Sequence, residues 1–343
     1  MRVTIKHIAE LAAVSKTAVS FAFNDPSKLS RKTYEHIMAI ATREGYVPDP
    51  IARSMTTKRA GAIGVLLPQA IQDSLRNPYV AEVLRGIGTV CHQEDLFLTV
   101  ISPLRGFLSQ AIRTAVVDGF VALGVEATSE IAELIKQRQV PFVTIDGDPD
   151  MAQINIGIDD TAAAMTVMEH VLSKGHRRII IMTLHSDTAT SEEERYSDTG
   201  ARRMEGFRRA LKSHGLSLEG EDILTVMAEP NSQDALEAIS PLLDTHKPTA
   251  IVCMSDAAAH GAYRACRAAK LRIPEDVSIT GFDDTPLAEL LDPALTTVRQ
   301  PGLNKGSHAA RAVVDLIHGQ SAASFLLPTE LMVRSSVAEP PVQ

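Results

Sequence analysis

Between Lys16 and Asn24 the sequence KTAVSFAFN places Thr17, Ser20, Phe21 and Asn24 at i, i+3, i+4 and i+7, with Lys16 beside them. On a helix these would form one face of short polar side chains with a cation at its N-terminal end, chemistry that suits base edges and phosphates. A second set of reactive groups ends apolar runs further along. Asp146 ends PFVTID, Ser255 and Asp256 end TAIVCMSD, and Asp283 ends VSITGFD. Tyr79 follows Asn77-Pro78, and Thr199 and Arg203 lie in SDTGARRMEGF. Carboxylates beside an arginine can grip hydroxyls or amino groups through charge-assisted hydrogen bonds, which suits a sugar, polyol or nucleoside. An Asp after a strand equally well caps the following helix. Asp256, with 257–269 directly behind it, fits the cap better. The sequence contains no G-x-x-x-x-G-K-[ST], G-x-G-x-x-G or G-x-S-x-G motif. His170 and His176 have no metal-like partner pattern and are expected at the surface or at helix ends. The run Glu192-Glu193-Glu194 is expected in a solvated loop.

These groups need elements to hold them. Thr4 suits an N-cap, and Ile5, Ile8, Ala9 and Ala12 give the first helix an apolar face. Ala13 and Val14 fill a turn, Ser15 caps the second helix, and Ala18, Val19, Ala22 and Phe23 form its inner face. Ser30 caps a third, with Tyr34, Ile37, Met38 and Ala41 inward and Gly45 as its stop. Asp49 and Pro50 suit the start of a short helix over 50–57. The spacing fits a DNA-binding helix-turn-helix and also a plain helical hairpin, and these residues alone leave both open.

From Gly61 the pattern changes to apolar runs alternating with helical segments: 62–68, 96–102, 119–125, 141–147, 154–160, 177–183, 222–228, 249–256 and 277–284. Continuous apolar runs between amphipathic helices mark parallel strands buried on both faces. Nine of them predict an α/β fold of two doubly wound lobes, with a seam near Asp159–Asp160.

The 343 residues suffice for a small head and a large core, and an apolar content of 45% fills that core. The net charge of −8 is unevenly divided: residues 1–60 carry ten Lys/Arg against five Asp/Glu, the remainder 24 against 37. A basic head on an acidic body concentrates phosphate-binding charge in one place. Cys91, Cys253 and Cys266 lie in apolar surroundings without ligand spacing and read as reduced core thiols. No run of about 18 uncharged apolar residues predicts a membrane span, and the first residues lack a signal peptide's apolar stretch. A cytoplasmic location is expected.

VTIKHIAELAAVSKTAVS, the Asn24-Asp25-Pro26 turn with Ser30-Arg31-Lys32-Thr33, GYVPDPIARSM, GFDD and LTTVRQP occur in this order along the chain. In these motifs the chain resembles the LacI/GalR family of bacterial transcription regulators. The resemblance implies a helix-turn-helix head over 1–59, with a hinge helix near 50–57, and a periplasmic-binding-protein-like core over 60–343. Lobe 1 would hold about 60–158 and 291–320, and lobe 2 about 159–290 and 321–336, the chain crossing again near Leu290 and near 319–324. It implies a homodimeric repressor on a palindromic operator, controlled by a small-molecule effector in the interlobe cleft, with no cofactor, metal or catalytic activity. Lys16, Thr17, Ser20 and Phe21 would read bases, with Asn24, Lys28 and Thr33 near the backbone. Thr4, Ser15, Ala52 and Arg53 complete the expected DNA set, with Met55 where relatives place a Leu wedge. Tyr79, Asp146, Thr199, Arg203, Ser255 and Asp283 form the expected effector set, Arg203 and Asp283 matching positions that contact effectors.

Three departures stand out. Ala13 occupies a turn position commonly Gly, Phe21 one commonly held by a long polar side chain, and the segment after SPLRG is short. SSVAEPPVQ carries no leucine heptad, so the extra helix of tetrameric relatives is not expected. A solute-binding protein sharing the two-lobed core would need a signal peptide and no basic head; this sequence has the reverse.

Overall fold

Three hydroxyls start the first three helices. Thr4 Oγ1 accepts from the backbone N–H of His7 and opens α1, Ile5–Leu11. Ser15 Oγ accepts from Ala18 N–H and opens α2, Lys16–Asn24, and Ser30 Oγ accepts from Thr33 N–H and opens α3, Arg31–Arg43. Each satisfies a donor that the helix's first turn leaves unpaired. A single 3-10 turn, Pro26–Lys28, links α2 to α3. The computed structural model describes residues 3–49, 54, 59–67, 69–102, 108–124, 129–147, 154–184 and 198–341. The expected hinge helix, apart from Ser54, and the run Glu192–Glu194 lie outside the described residues.

The chain divides into two compact units, Met1–Gly61 and Ala62–Gln343. In the first, Ile8, Ala9, Ala12, Val19, Ala22, Ile37, Ile40 and Ala41 form the core, with Phe23 edge-on to Tyr46 at 5.5 Å between ring centroids. Half of these buried residues are alanines, so the core is small and local strain weighs heavily on it. Ala13 carries such strain: its φ is 52°, a left-handed conformation in which Cβ crowds the following carbonyl.

The second unit contains two parallel sheets. The first is ordered β11-β5-β4-β3-β1-β2, from β1 Ala62–Leu66, β2 Phe97–Ile101, β3 Gly119–Leu123, β4 Phe142–Ile145, β5 Asn155–Gly157 and β11 Phe325–Leu326. The second is ordered β12-β10-β9-β8-β6-β7, from β6 Ile179–Leu184, β7 Ile223–Ala228, β8 Ala250–Cys253, β9 Ser278–Asp283, β10 Thr296–Arg299 and β12 Glu330–Met332. Only β12, paired with β10, is antiparallel among the pairs described. The nine apolar runs all became strands. β10 has no such run: it is TTVR, with its buried threonines hydrogen-bonded instead of apolar.

That polar strand moves a boundary. Residues 296–299 belong to the second sheet, so the chain returns to the first lobe at Gln300–Pro301 and not near Leu290. β11 then pairs with β5, so the last crossing follows Leu326 and not 319–324.

Helices α4 Ile71–Ser74, α5 Pro78–Gln93, α6 Leu108–Thr114, α7 Ser129–Arg138 and α13 Gly302–Ile317 belong to the first lobe. α8 Asp160–Ser173, α9 Asp198–Ser213, α10 Ser232–His246, α11 Asp256–Ala268 and α12 Pro286–Leu290 belong to the second. Among the helix contacts that need glycine, two bear on the site. A Cβ on Gly306 of α13 would lie 2.1 Å from the Val83 carbonyl oxygen of α5, and one on Gly206 of α9 would lie 2.3 Å from the Thr161 oxygen of α8. These approaches bring Lys305 beside α5, and Arg202 and Arg203 beside Asp160.

The final segment straps the second sheet: Ser336 Oγ accepts from Thr296 N–H, and Ile279 N–H donates to Ser336 O. His176, expected at the surface or at a helix end, lies just past the end of α8 and is fully buried, its Nε2 2.8 Å from the Ala338 carbonyl and its Nδ1 3.0 Å from Thr249 Oγ1. The cysteines are free and buried. Among the described residues no helix is long and apolar enough to cross a membrane.

The strained turn gives a direct test. Ala13→Gly should stabilise the first unit by about 1 kcal/mol, read as a higher urea midpoint for its unfolding. An unchanged or lower midpoint would show that the turn stores no strain.

Candidate functional site

On α2, Lys16 and Thr17 are exposed at the N-terminal end, Asn24 at the C-terminal end, and Ser20 and Phe21 are half-buried between them. Asn24 Nδ2 donates to Ser20 Oγ at 3.2 Å, and the Lys28 ammonium stands 5.0 Å from the Phe21 ring centroid. Phe21 thus carries a cation across its face although it has no hydrogen-bonding group. Lys28 also pairs with Asp25 at 3.1 Å. Asp25 accepts from Ser27 as well, and Ser27 then Lys28 hold its carboxyl below the ordinary range. Thr4 and Ser15 act as helix caps, and the Thr33 hydroxyl lies 2.8 Å from Ser30 Oγ at the start of α3.

The second site lies where the carboxyl ends of both parallel sheets face each other, the position at which open α/β sheets bind ligands. Three aspartates at these strand ends have positive φ: Asp146 after β4 at 57°, Asp283 ending β9 at 128° and Asp284 after it at 55°. Strained backbone of this kind persists only where surrounding structure enforces it, and it clusters at functional sites.

In the first lobe Asp146 is bound from two sides. Tyr79, in the first turn of α5 behind its Asn77 cap, donates to Asp146 Oδ2 at 2.7 Å, and the Lys305 ammonium donates to Oδ1 at 2.6 Å. Lys305 is wholly buried, and its ammonium also reaches Gln300 Oε1 at 2.6 Å and Tyr79 Oη at 3.1 Å. Burial pulls the Lys305 pKa down, opposed by the Asp146 charge; burial and Asp146 push the Tyr79 phenol up. Gln300 Nε2 in turn donates to Asp283 Oδ1. The bonds therefore run from lobe 1 through the crossover into lobe 2.

In the second lobe Arg203 donates to Asp160 Oδ1 at 3.0 Å and to the Met254 carbonyl at 2.6 Å, its guanidinium carbon 3.6 Å from the centroid of the Phe282 ring. Arg202 binds Asp160 Oδ2 at 3.0 Å and crosses to the Asp146 carbonyl at 3.0 Å, which Thr199 Oγ1 also reaches at 3.3 Å. Asp283 Oδ2 is buried without a hydrogen-bond partner. Burial, reinforced by the Asp256 charge, holds the Asp283 carboxyl well above its ordinary range.

Of the six residues expected around a small molecule, Tyr79, Asp146, Thr199, Arg203 and Asp283 come together. Ser255 does not join them by hydrogen bonding: its Oγ caps α11 by accepting from Ala258 N–H. Asp256, read as the cap, instead accepts from Thr285 N–H at 2.7 Å and Thr297 Oγ1 at 2.6 Å, and burial raises its pKa to about 7. The expectation had these neighbours reversed, because spacing cannot tell which of two adjacent polar side chains turns back onto the helix. Lys305, Gln300, Arg202 and Asp160 were missed. Lys305 shares the buried face of α13 with Gly302, Gly306, Ala309 and Val313, so its occurrence at an apolar helical position was the available signal.

A three-helix head and a two-lobed core with a polar cleft define a DNA-binding transcriptional regulator. Residues 4–49 match the family model "Bacterial regulatory proteins, lacI family", and 168–337 match a periplasmic binding protein-like domain. The HTH-type transcriptional regulator DegA of Bacillus subtilis is 30% identical, the match covering 98% of this chain and 99% of that protein. The structure of a transcriptional regulator CelR–cellobiose complex superposes with a TM-score of 0.70 at 25% identity, over 98% of this chain and 100% of that one. The lac repressor dimer bound to operator and an anti-inducer has the same fold, with a TM-score of 0.81 at 21% identity over 98% of this chain and 100% of that one. The chain belongs to the LacI family of bacterial regulatory proteins.

The perturbed carboxyl makes a signed prediction. A folded pKa above the unfolded value means that Asp283 disfavours folding increasingly as pH rises above about 3.8, where the unfolded state gives up its proton. Asp283→Asn, which cannot ionise, should therefore melt higher than the wild type near neutral pH. The difference should shrink as pH falls toward about 4. A gap that is constant with pH would show an ordinary carboxylate.

Proposed function

We propose that this regulator is a cytoplasmic repressor that binds a palindromic operator as a homodimer and responds to a small hydroxylated metabolite in the interlobe cleft. Lys16, Thr17, Ser20 and Phe21 read bases, and Asn24, Lys28 and Thr33 lie along the phosphates. Thr4 and Ser15 contribute from the helix starts. Ala52, Arg53 and Met55 belong to the hinge segment that enters the minor groove, with Met55 as the wedge at the central base step.

The observation that carries the effector reading is the unpartnered Oδ2 of Asp283, a buried acceptor beside Arg203 at the carboxyl ends of the strands. An unsatisfied buried oxygen costs about 1–3 kcal/mol, and a ligand hydroxyl meets that need. The cellobiose held by the CelR relative supports a sugar or related metabolite. Tyr79 and Asp146 frame the opposite wall, Thr199 reaches it from the second lobe, and Ser255 contributes through the helix it caps.

An operator recovered by selection from random DNA tests the head. The full chain should bind it with an affinity that falls steeply with salt, because bound Lys and Arg release counterions. A fragment beginning at Ala62 should lose that binding. A salt-insensitive complex, or a fragment that still shifts the operator, would overturn the assignment.

Phe21 offers a finer test. Its ring rests on a thymine methyl, a contact worth less than a bidentate polar pair. Phe21→Ala should relax preference at one base pair in each half-site while non-specific affinity stays level. Recovery of the same consensus by the variant would place Phe21 outside base reading.

A further inference from the structure

The first-lobe wall of the cleft is already occupied by a side chain of the protein itself. Lys305 has three ammonium hydrogens, and three acceptors surround it: Asp146 Oδ1, Gln300 Oε1 and Tyr79 Oη. None of its donor capacity is left for a ligand. The first two contacts, each at 2.6 Å, are short and charge-assisted, and the side chain is 0% exposed.

Gln300 gives this arrangement its direction. It stands at the crossover between β10 of the second lobe and α13 of the first. Its backbone N–H donates to the Asp283 carbonyl at 3.2 Å and its side-chain amide donates to Asp283 Oδ1, fastening it to the second lobe. Its side-chain oxygen faces the other way, onto Lys305. A rotation of the lobes about this crossover would draw that oxygen from the ammonium and leave a buried cation short of an acceptor. Other contacts also span the cleft: Gln69 to Glu229 at its mouth, and Arg202 and Thr199 to the Asp146 carbonyl. Arg202 is 29% exposed, so water can replace its contact as the lobes part; Lys305 has no such substitute.

We infer that Lys305 is a built-in latch, a tethered ammonium that closes the two lobes through Gln300 and Asp283 without a ligand. An effector then meets a cleft that is already shut and acts by displacing the Lys305–Gln300–Asp283 chain. The ligand-free chain starts from the closed arrangement. The latch lies in the cleft assigned above to the effector, but its test needs neither effector nor operator, so either reading can fail without the other.

The test is an interlobe distance in the full-length protein. Gln72 in α4 and Glu237 in α10 are exposed and lie on the helices that follow Gln69 and Glu229, so they flank the cleft mouth. Because the native cysteines are buried, Gln72→Cys and Glu237→Cys accept spin labels selectively. Excess unlabelled chain restricts the double electron–electron resonance signal to pairs within one chain. The ligand-free protein should give a single short distance. Lys305→Met, which removes the ammonium and keeps the length, should move the distribution to longer distances. Gln300→Ala, which leaves the Lys305–Asp146 pair intact, should do the same, and it decides the matter if Lys305→Met does not fold. A ligand-free wild type already spread over long distances, or a folded Gln300→Ala with the wild-type distribution, would overturn the latch.

Discussion

A lysine with no access to water must find its counter-charge inside the protein, and the cleft between the lobes is arranged around that requirement. Lys305 meets Asp146 at 2.6 Å, and neither group is appreciably exposed. Such a pair contributes little net stability against an apolar replacement of the same shape, since both charges have lost their hydration. Removing one partner is a different matter, costing about 3–5 kcal/mol, because the survivor is stranded. The pair therefore specifies geometry more than it adds stability. It fixes where β4 ends, how α5 presents Tyr79, and how near α13 comes to both.

The same logic recurs in the second lobe with the signs exchanged. Asp160 at the start of α8 is buried and receives two guanidinium groups, Arg202 and Arg203. Asp256 is buried without a cation, and that burial pushes its carboxyl up to about 7 although two threonines donate to it and oppose the rise. Asp283 stands between these environments, with one oxygen satisfied by Gln300 and the other unpartnered. Carboxyls in such different surroundings respond differently to an incoming polar group. Among the three, only Asp283 has an oxygen with unused hydrogen-bonding capacity.

The head follows another economy. Its buried core is small and rich in alanine, so capping hydroxyls and turn geometry carry a larger share of its stability than in the core unit. Lys6, Lys28, Arg31 and Arg43 pair with nearby carboxylates, and the surplus positive charge of the head is what phosphates would neutralise. The acidic surplus of the rest of the chain keeps nonspecific attraction to DNA confined to the head.

Local rules made much of this legible in advance. The caps at Thr4, Ser15 and Ser30 and the nine apolar strands follow from spacing and side-chain type, because their causes lie within a few residues of each other. Lys305, Gln300, Arg202 and Asp160 escaped notice, since their roles depend on partners elsewhere in the chain: Lys305 lies 159 residues from Asp146, and Arg202 lies 42 from Asp160. The polar strand β10 was missed as a sheet member because its threonines are satisfied by Asp256 and by the segment at Arg334 and Ser336. The sequence by itself determined the three capped helices of the head, nine of the twelve described strands and that the head would be basic. Only the tertiary structure decided which charges share a buried space, because desolvation and pairing act through distances that the chain order does not contain.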